Sequence, residues 1–184
     1  MRRAMRRIRA GQKGFSLIEL LIAIPIAALV MLAASGAIVQ LVRSGRASAQ
    51  MNAIRQVQIA GTWISRDGLQ AETVEIYTDP ASELFCTFEW HDYTAVDAPK
   101  HTVVYSLIPM SSGALYHLER QVTVGDGTPT STIVARNLVS ANDATRLSWT
   151  DDTRTSFKLD VTSTVGQKTV RRTYVVTPRP ARAG

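Results

Sequence analysis

Cysteine is almost absent from this chain: Cys86 is the only one in 184 residues. An intramolecular disulfide is therefore excluded, and thiol usage says nothing about redox compartment. With Phe85 and Phe88 close by, Cys86 reads as a small buried hydrophobe rather than a reactive thiol. Histidine is nearly as scarce. His91, His101 and His117 lack zinc-type spacing to one another or to Cys86. His91-Asp92 resembles half of a catalytic pair, but no nucleophile motif such as Gly-x-Ser-x-Gly accompanies it. The recognisable catalytic constellations are thus missing, so no enzyme, cofactor or metal is expected. Asp126, Asp143, Asp151 and Asp152 lie in turn-rich stretches and carry the oxygen donors that Ca²⁺ prefers. Solvated turn acids are the simpler account of them. Trp63, Trp90 and Trp149 read as packing anchors, because a small sheet domain needs large apolar side chains. Internal repeats and low-complexity tracts are also absent.

Acids are missing from the start of the chain. Arg2, Arg3, Arg6, Arg7, Arg9 and Lys13 place six bases in the first 14 residues, with no Asp or Glu among them. Removing those six from 21 Lys+Arg leaves 15 basic against 15 acidic residues, so the formal charge of +6 is entirely N-terminal. From Asp67 to Val170 there are 14 acids against seven bases. A surface of that sign is a poor polyphosphate binder, so no nucleic-acid partner is expected. The high pI reflects membrane topology instead.

Charge then disappears altogether. Leu20 to Val39 is a 20-residue run without a charged side chain. As a helix it reaches about 30 Å, the thickness of a bilayer's hydrocarbon core. The basic cluster before it predicts a cytoplasmic N-terminus, with the bulk of the chain on the other side of the membrane. A cleaved secretory signal fits poorly, since its apolar stretch is shorter and this run holds Glu19 and Pro25. Pro25 lacks the N–H that would bond Leu21, which predicts a kink or local opening, and Ser35-Gly36 is a second soft spot.

The residues at the head of this run resemble the prepilin signature of type IV pilins and type II secretion pseudopilins. Lys13-Gly14 ends a basic leader, Phe15-Ser16-Leu17-Ile18-Glu19 follows, and Leu20-Leu21-Ile22-Ala23 opens the apolar helix. The resemblance implies cleavage between Gly14 and Phe15 by a membrane-embedded prepilin peptidase, then N-methylation of the new Phe15 amine. It further implies that Glu19 of an incoming subunit pairs with the Phe15 amine of a neighbour as the helix enters a fibre. The physical logic is that an unpaired carboxylate in hydrocarbon costs about 2.5–3.5 kcal/mol on insertion scales. A carboxylate in the first helical turn is also favoured by the helix dipole. The bland alternative is that Glu19 sits hydrated at the interface. Many major pilins have a proline some twenty residues into the mature helix and a C-terminal cysteine pair. Here Gly36 stands near that place and no such pair exists, which leaves the minor pilins and pseudopilins.

Beyond Arg43 helical spacing continues. Met51, Ile54, Gln58 and Gly61 fall along one face, flanked by Val57 and Ile64, which predicts an amphipathic extension docked on a sheet. Gly61 and Gly68 place its end between Arg66 and Ala71. From Glu72 onward the chain reads as eight short strands: TVEIYT, LFCTFEW, TVVYSLI, ALYHLERQVTV, TIVARNLV, TRLSWT, SFKLDVTST and TVRRTYVVT. Gly125–Pro129 and Val165–Lys168 are predicted hairpin connections. Alternation at Phe157, Leu159 and Val161, and more loosely at Val170, Arg172, Tyr174 and Val176, predicts an antiparallel sheet with one wet face. The long helix, the ISRDGLQA helix end, the YSL strand and the late RRTYVVTPR strand together resemble J-type pseudopilins and W-type minor pilins.

The expected fold is α+β: a long N-terminal helix, membrane-spanning then amphipathic, packed on an antiparallel β-sheet domain. Its expected segments are a leader at 1–14, a membrane half-helix at 15–42, an amphipathic half at 43–70, a β-rich domain at 71–177 and a disordered tail at 178–184. The expected function is a structural minor pilin or pseudopilin of the inner membrane and then of a filament. The resemblance covers pilus, secretion and DNA-uptake systems alike. Implied partners are prepilin peptidase, other pilins or pseudopilins, an inner-membrane assembly platform and membrane lipid. Two competitors remain: a signal-anchored membrane protein with an outward-facing binding domain, and an anchored hydrolase using His91 and Asp92.

Overall fold

The computed structural model describes residues 16–79, 82–94, 97–111, 113–139 and 144–180. One helix, α1 (Leu17–Gln70), precedes eight strands. These are β1 (Thr73–Ile76), β2 (Leu84–His91), β3 (Lys100–Pro109), β4 (Leu115–Val124), β5 (Thr130–Val139), β6 (Arg146–Trp149), β7 (Phe157–Val165) and β8 (Lys168–Val176). All eight expected strands are present, and α1 ends at Gln70, inside the expected window. The chain divides into two compact units, one ending at Ser44 and the other beginning at Gly45.

In the first unit every described residue is exposed, apolar ones included. α1 stays α-helical through Pro25 and through Ser35-Gly36. One missing N–H removes one bond from a long ladder, and the turns on both sides keep theirs. The Ser35 hydroxyl donates back to the Met31 carbonyl at 2.8 Å, a local bond of the kind serine makes inside helices.

In the second unit the sheet order is β1-β2-β3-β4-β5-β7-β6, with β8 on the other edge of β7, and every pairing is antiparallel. Beside β7, β6 covers Phe157–Asp160 and β5 reaches only Ser163, so two strands share one edge while β8 runs along the whole of the other. The β7–β8 hairpin turns on Gly166, whose φ of 58° suits glycine at the first central position of a two-residue turn. The expected wet face fails at β7. Asp160 and Thr162 point away from Phe157, Leu159 and Val161 yet are buried too, because β7 is central and long side chains close over them.

Residues 45–70 of α1 lie against the sheet, but on a face one residue away from the one expected. Ala53, Val57, Ala60, Gly61, Ile64, Asp67 and Gly68 are buried, whereas Met51 is 69% exposed and Gln58 is also exposed. One residue is about 100° of helix rotation. Small residues share this face with Val57 and Ile64. A Cβ on Gly61 would meet the Tyr174 ring at 2.2 Å, and one on Gly68 would meet Phe157 Cζ at 2.6 Å. Those glycines, read from sequence as marking the helix end, set how closely it approaches the sheet. Beneath it Phe88, Tyr105, Phe157, Leu118, Leu138 and Leu159 are fully buried, each large apolar side chain contributing roughly 1.5–3 kcal/mol.

Candidate functional site

The functional residues read from sequence cluster at the head of α1. Gly14 and Phe15, the expected cleavage pair, lie outside the described residues. Ser16 directly precedes the first helical residue and Glu19 sits in the first turn. The Ser16 N–H donates to Glu19 Oε2 at 2.9 Å, and the Ile18 N–H reaches Ser16 Oγ at 3.4 Å. Ser-x-x-Glu at this place is a capping box, in which each side chain satisfies a backbone donor that the helix start leaves orphaned. Glu19 thus has a local partner that sequence reasoning missed, although the spacing Ser16-Leu17-Ile18-Glu19 announces it. The carboxylate is exposed, and from this turn onward the helix offers only apolar side chains until Arg43, serine and glutamine apart. A window within α1 is long and apolar enough to cross a membrane.

In the second unit two carboxylates are buried, Asp67 and Asp160, and sequence reasoning singled out neither. Asp67, 2% exposed, accepts the Tyr105 hydroxyl at 2.6 Å, Arg120 Nε at 2.7 Å and Arg120 Nη2 at 3.0 Å. The guanidinium also lies over the Trp63 ring, 4.9 Å from its centroid. The group ties α1 to β3 and β4. Burial, and then the adjacent Asp67 charge, push the Tyr105 hydroxyl far above its ordinary range, so it stays a donor. Burial and Asp67 likewise push up the Cys86 thiol, which is fully buried as expected. Neither group is a nucleophile; the cluster is a lock.

The other candidate residues are engaged locally. His91 Nδ1 lies 3.1 Å from Glu72 Oε2 and does not pair with Asp92. Asp92 accepts the Thr94 hydroxyl and N–H, which hold its pKa below the usual carboxylate value. Asp151 accepts from Thr153 and from Thr155, in each case lowering its pKa, and so closes its own turn. Asp143 lies outside the described residues. Among the described residues no group of three or more His, Cys, Asp or Glu is placed to hold a metal ion. Trp63, Trp90 and Trp149 pack against the core, Trp90 stacked on His101 with ring centroids 5.3 Å apart. Within the expected disordered tail, Arg179 donates to Glu72 Oε1 at 2.9 Å as an ion pair, and 181–184 lie outside the described residues.

The family model for the prokaryotic N-terminal methylation motif matches residues 9–35, spanning Gly14, Phe15, Glu19 and Pro25. No curated protein and no solved structure matches the chain. Its head therefore carries the signal that type IV pilins and secretion pseudopilins share.

Proposed function

We propose that this chain is a minor pilin or pseudopilin: a structural subunit, not an enzyme, that enters a type IV pilus or secretion filament. Prepilin peptidase cuts between Gly14 and Phe15 on the cytoplasmic side of the inner membrane and N-methylates Phe15. The apolar half of α1 anchors the product in lipid while the β domain faces outward. An assembly platform then extracts the helix into a bundle of sister helices. The observation that carries this reading is the methylation motif at 9–35, whose described residues from Leu17 onward form an apolar helix exposed at every position.

Glu19 supplies register in this scheme. Its carboxylate pairs with the amine of a neighbour's Phe15, which exists only after trimming. Regaining even half of the roughly 2.5–3.5 kcal/mol that a charge costs in hydrocarbon favours the paired axial position about tenfold. The capping box allows a clean test, because glutamine keeps the acceptor for the Ser16 N–H and removes the charge. Glu19→Gln and Glu19→Ala are both expected to insert and be trimmed, yet to enter the filament about tenfold less than wild type. Normal incorporation of Glu19→Gln, with loss only for Glu19→Ala, assigns Glu19 to capping and refutes the charge pairing.

A further inference from the structure

The two ends of the sheet differ in how they are finished. β1 is four residues long. β8 is nine residues long, pairs with β7 in unbroken register and contains neither proline nor bulge, and among the described residues its other edge is unpaired. The Val165–Lys168 pair closes a two-residue turn, so hydrogen-bonded pairs recur at Ser163–Val170, Val161–Arg172 and Leu159–Tyr174. The intervening residues Thr169, Arg171, Thr173 and Val175 therefore aim their N–H and C=O groups outward. A long flat edge of this kind is a template for another strand.

The two faces flanking that edge differ chemically. On the face away from α1, Arg146, Lys158 and Arg171 gather within 3.1–3.6 Å of one carboxylate, buried Asp160. Three cations on one acid leave this corner positive, in a domain where acids outnumber bases two to one between Asp67 and Val170. On the α1 side a shallow cleft of about 580 Å³ runs beside the strand, its surface mostly apolar around Gly61, Leu69 and Tyr174 although Thr62, Ser65, Arg66 and Gln70 also line it. Leu69 is 58% exposed there. A second β8 is a poor occupant in the register centred on Arg172, which sets that arginine against its own copy.

We infer that β8 is a docking edge for an extended segment of another polypeptide, in which acidic and apolar residues alternate. Its backbone continues the sheet, its acids meet Arg171, Lys158 and Arg146, and its apolar residues enter the cleft beside Tyr174 and Leu69. This is strand addition, in which backbone bonds give affinity and alternate side chains give specificity. Assigning the segment to a sister subunit rests on the filament reading; the docking itself does not.

The test uses the full chain in detergent micelles and the end-capped peptide Thr-Glu-Val-Glu-Val-Glu-Val-Thr, with residue-resolved amide hydrogen exchange as the readout. The peptide is expected to slow exchange at Arg171, Thr173 and Val175 and leave the β7-facing amides of Arg172 and Tyr174 unchanged. The counterpart with lysine for glutamate is expected to bind at least about tenfold more weakly. Val175→Pro removes an outward N–H at an exposed position and is expected to abolish protection, with the β7–β8 amides still slow. Arg171→Gln is expected to weaken binding severalfold. No protection by the acidic peptide, or equal protection by the lysine peptide, overturns the proposal whether or not either variant folds. Neither outcome touches trimming at Gly14, so a failed filament reading is recognised separately.

Discussion

The two halves of α1 share one secondary structure and oppose each other in everything else. Up to Ser44 the side chains are mostly apolar, and every described one is exposed. From Gly45 the exposed side chains are largely polar, and a narrow stripe of alanine, glycine, valine and isoleucine is buried with one aspartate among it. The first half leaves its apolar surface open. The second is already satisfied by its own sheet. Helix propensity does not distinguish them; the surroundings each half requires do.

The sharpest way to break that contrast is at Asp67. Asp67→Ala strands Arg120 and Tyr105 without their carboxylate, and removing one partner of a buried pair costs about 3–5 kcal/mol. Because the Arg120 side chain retains 17% exposure, the low end of that range is expected in chemical denaturation. A loss below the error of the measurement shows that the lock contributes nothing to docking the helix.

Glycines sharpen the comparison at a smaller scale. Gly61→Ala forces a methyl into the Tyr174 ring and is expected to cost about 1–3 kcal/mol. Gly36→Ala has open space around it and is expected to leave the β domain's unfolding midpoint unchanged. Equal effects at the two positions mean that close packing does not separate the halves.

The smallest effect is one of pH. Asp160 is buried, which raises its pKa, but Thr173 and Arg171 outweigh that and hold it below its ordinary 3.8. A carboxylate with a lowered folded pKa contributes stability that is complete above the unfolded value and is lost as pH falls through the folded one. Wild type is therefore expected to lose stability more steeply than Asp160→Asn below pH 3.8. Parallel acid profiles show that the cations around Asp160 do not stabilise its charge.

Much of this was legible in the residues. Alternation and turn chemistry located every strand, because each is short and flanked by polar or glycine-containing turns. The methylation motif was legible as a linear pattern, Gly14-Phe15 through Glu19. The phase of the second half-helix was not. Reading it from Met51 and Ile54 favoured bulk, whereas the buried face also carries Ala53, Ala60, Gly61 and Gly68, and at the two glycines the sheet leaves no room for a side chain. Asp67 was hidden because a charge near a helix end reads as solvent-facing until its partners, 38 and 53 residues away, are known. Glu72 with Arg179 escaped for the same reason, at a separation of 107.

The central claim is that this helix is anchored first and polymerised later, after its basic leader is removed. Intact-mass and N-terminal peptide analysis of the protein from cells containing prepilin peptidase tests it most directly. The account predicts a chain beginning at methylated Phe15. A chain that still begins at Met1, with Gly14-Phe15 uncut, contradicts it.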